Sequence, residues 1–563
     1  MKQQDQLAHG WAHVFRTEVM PIIPESAFAP LYSPDNGRPN FPVAVLAGLF
    51  LIKEIRNLTD SELLHAFHYD LEVLYALGLA PGEYTLAPRT LYYFRGRIAK
   101  TSLAMQTFET LTDKMIRLLG VETGRQRLDS TQVCSNIANL SRLGLFVRTI
   151  EGFVGGLAKH GPEVAASLPR SMRTRYLERS GYFADTTGRK SRARLEAAAR
   201  DVGWLVGRFR DDPAVAALPS FSLLTRLFAE QCEVVHAPGT DPVAVPLPAD
   251  EVASTSLQSP SDPDATYSAH KGKGYQVQVG ETCAPANPIQ MITHLAVEGA
   301  HESDHAALEP FLDATEARGI GPDEVLADTA YASGENLAHC LDRGVDLVAP
   351  MPGAKDADDV GLADFAIDFD SCQVRACPEG HAPDRQRPMR NGTGMNARFS
   401  PAVCARCELG PDCPAGRNRG RLRFTRADLL VAHGRLREST DMFRDEYKVR
   451  SGVERTNAEL KSAHGLGRLR VRGRQRVTLA VIFKVLACNV KRFCRCRARQ
   501  IGGSAPATDP NALVPSRLGL LGCLGSALGH WCLATATELL RLRRFPWSGY
   551  PDTLRLAAER PSR

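Results

Sequence analysis

Long hydrophobic runs are missing from this chain. The one uncharged stretch of membrane-spanning length, Leu518–Thr537, is interrupted by Gly519, Gly522, Gly525, Gly529 and His530, so it reads as a buried hairpin or a tail rather than a span. An apolar leader is missing as well: Met1–Gly10 has no hydrophobic segment, so export is not expected and a cytoplasmic location is. Without export, the 14 cysteines are expected to stay reduced, with metal binding where they cluster. The 46 glycines and 36 prolines follow no period, which excludes a collagen-like or coiled-coil chain, and no solenoid repeat is present. With 44% hydrophobic and 23% charged residues, the 563-residue chain has an ordinary globular composition and the length of several domains.

Charge is unevenly placed. Between Arg417 and Arg499 there are 23 Lys and Arg against 7 Asp and Glu, a local excess of 16 in a chain whose total is +6. A near-neutral body with one basic segment is the electrostatic footprint expected for binding a polyanion.

Residues 1–40 read as a polar lead-in. From Phe41 the pattern is helical to about residue 120. The run beginning at Pro42 is apolar enough to be buried, Thr59 or Asp60 is placed to cap the next helix, and Leu91, Phe94, Ile98 and Leu103 share a face. Arg127–Val133 reads as a strand. Residues 140–235 return to helical patterning, and a proline-rich stretch follows, with six prolines from Pro238 to Pro263, expected as a linker or long surface loop. Strand-like pieces recur at Gly274–Gly280, Gln290–Val297, Glu324–Asp328 and Val345–Pro350, with helices between the later ones. The expected fold is α+β or α/β: a sheet assembled from 121–139, 240–355 and 440–499, preceded by a helical domain over 1–120. A helical insertion (140–239) and a Cys-rich insertion (356–420) interrupt it, and a tail (500–563) follows.

The most informative segment runs from Tyr447 to Lys461. Read as one helix at about 100° per residue, Arg450, Glu454 and Lys461 fall within about 60° of Tyr447. Val449, Val453, Thr456, Leu460 and Ala463 occupy the opposite side. The helix would bury an apolar face and present tyrosine, base, acid and base outward, with Glu459 off that stripe.

Tyr447, Arg450, Glu454 and Lys461 have the spacing of a known signature, and with it the chain resembles the DDE transposases of bacterial insertion sequences, the class bearing the Tyr-Arg-Glu-Lys signature. Leu128-Asp129-Ser-Thr-Gln is similar to the family's first catalytic aspartate segment, Ala327-Asp328-Thr-Ala-Tyr to the second, and Val453-Glu454 with Arg472-Gly473 downstream to the third. The stretch Phe41–Arg97 is similar to the helical N-terminal, DNA-binding domain of such proteins. The resemblance implies a ribonuclease-H-like catalytic sheet with flanking helices, with Asp129, Asp328 and Glu454 holding two Mg²⁺ (or Mn²⁺) ions. The insertion after Asp129, the Cys-rich block after Asp328 and the tail depart from the simplest pattern.

Three acids suit this chemistry. Cleaving a phosphodiester requires a deprotonated nucleophile and a stabilised leaving oxygen, and two divalent ions supply both. Mg²⁺ prefers hard oxygen ligands, which carboxylates provide. Arg450 and Lys461 would hold phosphates near the scissile bond, Tyr447 would bond a phosphate or stack on a base, and Arg470 and Arg472 would add affinity for the duplex. In the Cys-rich block, Cys377, Cys404, Cys407 and Cys413 make a candidate structural Zn²⁺ site, with Cys372 and His381 as substitutes. The expected function is a DNA transposase acting on terminal inverted repeats, as a homo-oligomer on double-stranded DNA and without a membrane. The alternative is a non-catalytic, DNA-binding descendant, which would have no need of the three acids.

Overall fold

The computed structural model describes residues 7–32, 41–178, 181–183, 188–236, 239, 241–353 and 360–502. The expected tail, with the stretch Leu518–Thr537, lies outside the described residues from 503 onward. Among the described residues no helix is long and apolar enough to cross a membrane.

Residues 7–32 are more than a lead-in: Trp11, Val14, Phe15, Val19 and Phe28 are buried on short helical turns. They pack around α1 (Val43–Ile55), whose side chains are almost all apolar and almost all buried, as expected of a helix enclosed on every side. Asn57, at φ 50°, turns the chain out of it. Thr59 then opens the helix Asp60–Tyr69 with a reciprocal cap to Glu62. Helices Leu71–Leu77, Pro88–Ile98 and α2 (Leu103–Leu119) complete the set. These helices do not close on themselves. Their core continues into one face of the sheet and onto the long helix at Arg474–Gly502, where Phe50 meets Phe483 with ring centroids 5.8 Å apart.

The sheet is mixed. Its strands are β1 (Arg125–Val133), β2 (Gly272–Thr282), β3 (Ile292–Gly299), β4 (Glu324–Leu326) and β5 (Asp346–Val348). They lie side by side as β3-β2-β1-β4-β5, with the short strand Thr266–Ser268 added on β2. β2 is antiparallel to both β1 and β3, whereas β1, β4 and β5 run parallel. The helix Leu308–Glu316 crosses between β3 and β4, burying Leu308, Phe311 and Leu312 against Leu128 and Val325.

Between β1 and β2 the chain leaves the sheet. Helices Arg142–His160, Gly188–Phe209 and Pro219–Gln231 enclose a hydrophobic cluster of their own, which includes Phe146, Phe153, Leu205 and Phe209. From Asp241 on, the proline-rich stretch is built into the fold: Val243–Pro246 pairs with Cys232–Val235, and Ser256, Leu257 and Asp262 are buried. After β5, the strands Arg385–Pro388, Gly394–Arg398 and Arg421–Thr425 form a small antiparallel sheet over another cluster that includes Phe365, Phe399 and Phe424.

The signature segment is not one continuous α-helix. Tyr447 ends the helix Asp441–Tyr447, Arg450 sits on a tight helical turn at Lys448–Ser451, and Glu454 and Lys461 lie on α3 (Gly452–Ser462). The apolar side is placed as expected, with Val453, Thr456 and Leu460 buried. The last helix among the described residues, α4 (Arg474–Gly502), is buried without interruption from Val481 to Lys491. Lys484 and Lys491 are thereby buried, whereas most other Lys and Arg side chains of the basic segment are exposed.

Candidate active site

Strand register brings the first two acids together. Arg127 of β1 pairs in parallel with Leu326 of β4. Two residues further along each chain, Asp129 and Asp328 stand at the same level, just beyond the carboxyl end of β4. That is where open sheets with parallel strands place their ligand groups. Asp129 is held in the middle of β1 opposite Val279. Asp328 begins the turn Thr329–Tyr331, its carboxylate accepting the backbone N–H of Ala330 at 2.9 Å.

Glu454 arrives from α3, which packs across β1. Arg450, one turn earlier, joins the three acids. Its Nη2 is 2.9 Å from Asp129 Oδ1 and 3.7 Å from Asp328 Oδ2, and its Nη1 is 3.0 Å from Glu454 Oε1. Exposure is graded across the site: 12% for the Asp129 side chain, 36% for Asp328 and 64% for Glu454. Burial pushes the Asp129 carboxyl above its ordinary range; Arg450 pulls it back, and the charges of Asp328 and Asp304 push it up again. Arg450 is desolvated too, but the surrounding acids outweigh that and raise it. Tyr447 stacks on Phe443 with centroids 5.5 Å apart, and burial raises its hydroxyl.

Asn457, unremarked in the sequence, donates from Nδ2 to Asp129 Oδ2 at 3.0 Å, while its own Oδ1 is buried without a partner. Lys271, from a turn that reads equally well as a simple connection, bonds Ser130 Oγ at 2.7 Å and Asp304 at 2.8 Å. Spacing gives no sign of these contacts, because Asp129 and Ser130 are more than 100 residues from Asn457 and Lys271, and Asp304 is 33 residues from Lys271.

The expected DNA contacts divide. Lys461 and Arg472 are exposed and make no ion pair among the described residues. Arg470 is committed to the protein, donating to the carbonyls of Leu58 at 2.8 Å and Asn57 at 3.3 Å. Glu459 lies off the stripe but is not idle, since it pairs with Arg492 at 2.8 Å.

The Cys-rich block places Cys377, Cys404, Cys407 and Cys413 around one cavity of about 180 Å³, with His381 also lining it. Cys372 is not among the lining residues. Burial raises the Cys404 thiol, and Cys413, Cys377 and Cys407 raise it further. Four thiols on tight turns are a donor set suited to Zn²⁺. Among the described residues the ligand atoms found within 4.8 Å of one another belong to a different group, Glu459, His464 and Cys488. Arg492 already holds that glutamate, and Lys484 and Lys491 add positive charge beside His464. That surrounding opposes a divalent ion there.

Comparison with known families agrees in kind. Residues 376–494 match the transposase DDE domain family, and residues 5–97 match the transposase domain family DUF772. The first match takes in Cys377, Cys404, Cys407 and Cys413 together with Glu454, and the second covers the N-terminal helices that precede α2. No curated protein and no solved structure matches the chain. The two matches support an insertion-sequence transposase of the DDE type, an enzyme of DNA transposition.

Proposed function

We propose that the chain binds the terminal inverted repeats of its own element and catalyses Mg²⁺-dependent strand cleavage and strand transfer, as a member of the Tyr-Arg-Glu-Lys class. The observation that carries this reading is the convergence of Asp129, Asp328 and Glu454, from three separate elements, on the single guanidinium of Arg450. The order β3-β2-β1-β4-β5, with the first three strands antiparallel, supports a ribonuclease-H-like sheet.

The donor set is all carboxylate oxygen, which fits Mg²⁺ or Mn²⁺. When bound, two such ions would activate the attacking hydroxyl and stabilise the leaving oxygen of an in-line displacement. Asp129, Asp328 and Glu454 would hold them. Asn457 fixes the rotamer of Asp129, so one acid is oriented in advance. Arg450 balances the negative charge of the acids and, on the same face, can turn its planar donors to a phosphate. Lys461 lies exposed at the end of α3, and Tyr447 offers a hydroxyl to the DNA backbone. Arg472, with the neighbouring exposed Arg468 and Arg476, would attract the duplex. On the N-terminal helices, exposed Tyr92 and Tyr93 beside Arg89 suit a DNA-facing surface. A structural zinc held by Cys377, Cys404, Cys407 and Cys413 would brace the block before α3, and pairing of two DNA ends implies a homo-oligomer.

The test uses a duplex bearing the element's terminal repeats, incubated with the protein in Mg²⁺, Ca²⁺ or chelator. Binding is expected throughout and strand breaks in Mg²⁺ alone. Specific binding with no breakage under any condition would favour the DNA-binding descendant.

A further inference from the structure

A buried charge cluster lies directly beneath the acids and joins the strand that carries one to the helix that carries another. At its centre is Glu281 of β2, whose side chain is fully buried. Its Oε2 accepts from Arg127 Nε at 2.8 Å and Nη2 at 2.5 Å. Its Oε1 accepts from Arg492 Nη1 at 2.6 Å and Thr456 Oγ1 at 2.6 Å. Arg127 is two residues before Asp129 on β1, and Thr456 is two residues after Glu454 on α3. The cluster also reaches the turn that carries Arg450, since Arg127 Nη1 donates to the Val449 carbonyl at 2.9 Å. Arg492 closes it by donating to Thr456 Oγ1 and Glu459 Oε2, both at 2.8 Å.

The packing has been shaped around this contact. A Cβ on Gly452 would fall 2.0 Å from Arg127 Nη1, so only glycine at the first residue of α3 lets the guanidinium reach under the helix. Two arginines and two glutamates balance in charge, and the carboxylate of Glu281 has all its strong donors supplied from within the protein. Hydrogen-bonded buried ions of this kind lose heavily when one member is removed, which makes the arrangement stiff and directional.

We propose that Glu281 is a positioning residue: with Arg127, Arg492 and Thr456 it sets the distance and angle between α3 and β1, and so the placement of the Glu454 carboxylate relative to Asp129. The inference rests on the reading of these acids as a divalent-metal site. Losing a group bonded directly to a metal's ligand commonly changes affinity by about 10-fold or more, and a shift of α3 against β1 displaces the Glu454 ligand itself. Glu281, Arg127 and Thr456 are buried and Arg492 is mostly buried, so the cluster acts through the packing of the protein.

The experiment measures Mn²⁺ binding to the full-length chain without DNA, by calorimetry or by the loss of the free-ion resonance signal. Thr456→Val is the main variant, because it removes the direct hydrogen bond between Glu281 and α3, leaving only the indirect bridge through Arg492 to Glu459, and keeps every buried charge in place. Glu281→Gln is the second. Thr149→Val removes a buried hydroxyl contact to the Leu145 carbonyl in the helical insertion and serves as the control for general destabilisation. The clamp predicts that Thr456→Val and Glu281→Gln each weaken Mn²⁺ binding by about 10-fold and raise the Mg²⁺ concentration needed for cleavage, while Thr149→Val does neither. Wild-type Mn²⁺ affinity in Thr456→Val, or an equal loss in Thr149→Val, overturns it. Asp129→Asn separates the two possible failures. If that variant loses Mn²⁺ and Thr456→Val does not, the clamp alone is wrong; if Asp129→Asn also binds normally, the acids are not a metal site and both readings fall.

Discussion

Arg450→Ala is the most revealing single change, because the guanidinium lies where a metal's charge would be felt. In the wild type it is in direct contact with Asp129 and Glu454 and within 3.7 Å of Asp328. At an effective dielectric near 20, a unit charge at ~4 Å contributes roughly 4 kcal/mol of attraction before desolvation is counted. Stripping the partner from a fully buried ion costs about 3–5 kcal/mol. Asp129 and Arg450 are mostly buried but Glu454 is 64% exposed, so the net loss at pH 7 without divalent ions should be about 2 kcal/mol. The sign of the pH dependence follows. Asp129 is already raised by burial, and the variant loses the charge that opposed the rise. A carboxyl raised in the folded state favours folding below its unfolded pKa, about 3.9, and this contribution is lost as pH rises through the folded value. The variant's deficit should therefore shrink on acidification towards pH 4. Mg²⁺ should also rescue it: with no guanidinium to displace, the ion should bind about 10-fold more tightly, or 1.4 kcal/mol, and raise the variant's melting temperature more than the wild type's. Cleavage should nonetheless fall, because a phosphate-facing base is gone. Thermal unfolding at pH 7 and pH 4.5, with Mg²⁺ or chelator, reads all of this. Wild-type stability in chelator at pH 7, or weaker Mg²⁺ binding than wild type, would refute the charge-balance argument.

Zinc analysis of the reduced protein should give about one ion per chain, and the Cys404→Ser/Cys407→Ser double variant should carry none; a metal-free wild type would leave the cavity as plain thiols. Burial pushes His294 and His464 down to about 4. Each contributes stability that is present above the ordinary histidine value and lost as pH falls towards 4. That amounts to about 2 kcal/mol apiece at pH 5, so His464→Gln should flatten the acid limb of a stability profile. Arg472→Ala and Arg476→Ala should each flatten the slope of log affinity against log salt by about 0.9. Arg470→Ala should lower stability instead, because its guanidinium is bonded to the carbonyls of Asn57 and Leu58; a salt slope changed as much as by Arg472→Ala would contradict that assignment.

Local pattern made the strands legible. β-favouring residues marked Arg127–Val133 and period-two alternation marked Gly274–Gly280, and both fall inside observed strands. The helical wheel placed Val453, Thr456 and Leu460 on the buried side of α3. It failed over Lys448–Ser451, where the turn tightens at the site of Arg127's approach. The charge excess overstated the surface available to DNA. Lys484 is paired with Glu54 at 2.5 Å, Arg492 with Glu281 and Glu459, and Arg497 with Glu18. These are long-range pairings, and spacing along a chain carries no information about them. Glu281, Asn457 and Lys271 were hidden in the same way, since each works through a residue far away in sequence. The opening of the chain misled as well: Trp11, Val14, Phe15 and Val19 recur at helical spacing and are buried, a stripe hidden among polar neighbours.

The central claim is that Asp129, Asp328 and Glu454 act together on DNA. Its most direct test is cleavage of a duplex carrying the element's ends by Asp129→Asn, Asp328→Asn and Glu454→Gln, with binding to the same duplex measured alongside. The account predicts that each variant binds as well as the wild type or better, since a negative charge has been removed, and that none cleaves in Mg²⁺. A variant that cleaves at the wild-type rate would remove its residue from the site, and cleavage by all three would contradict the account.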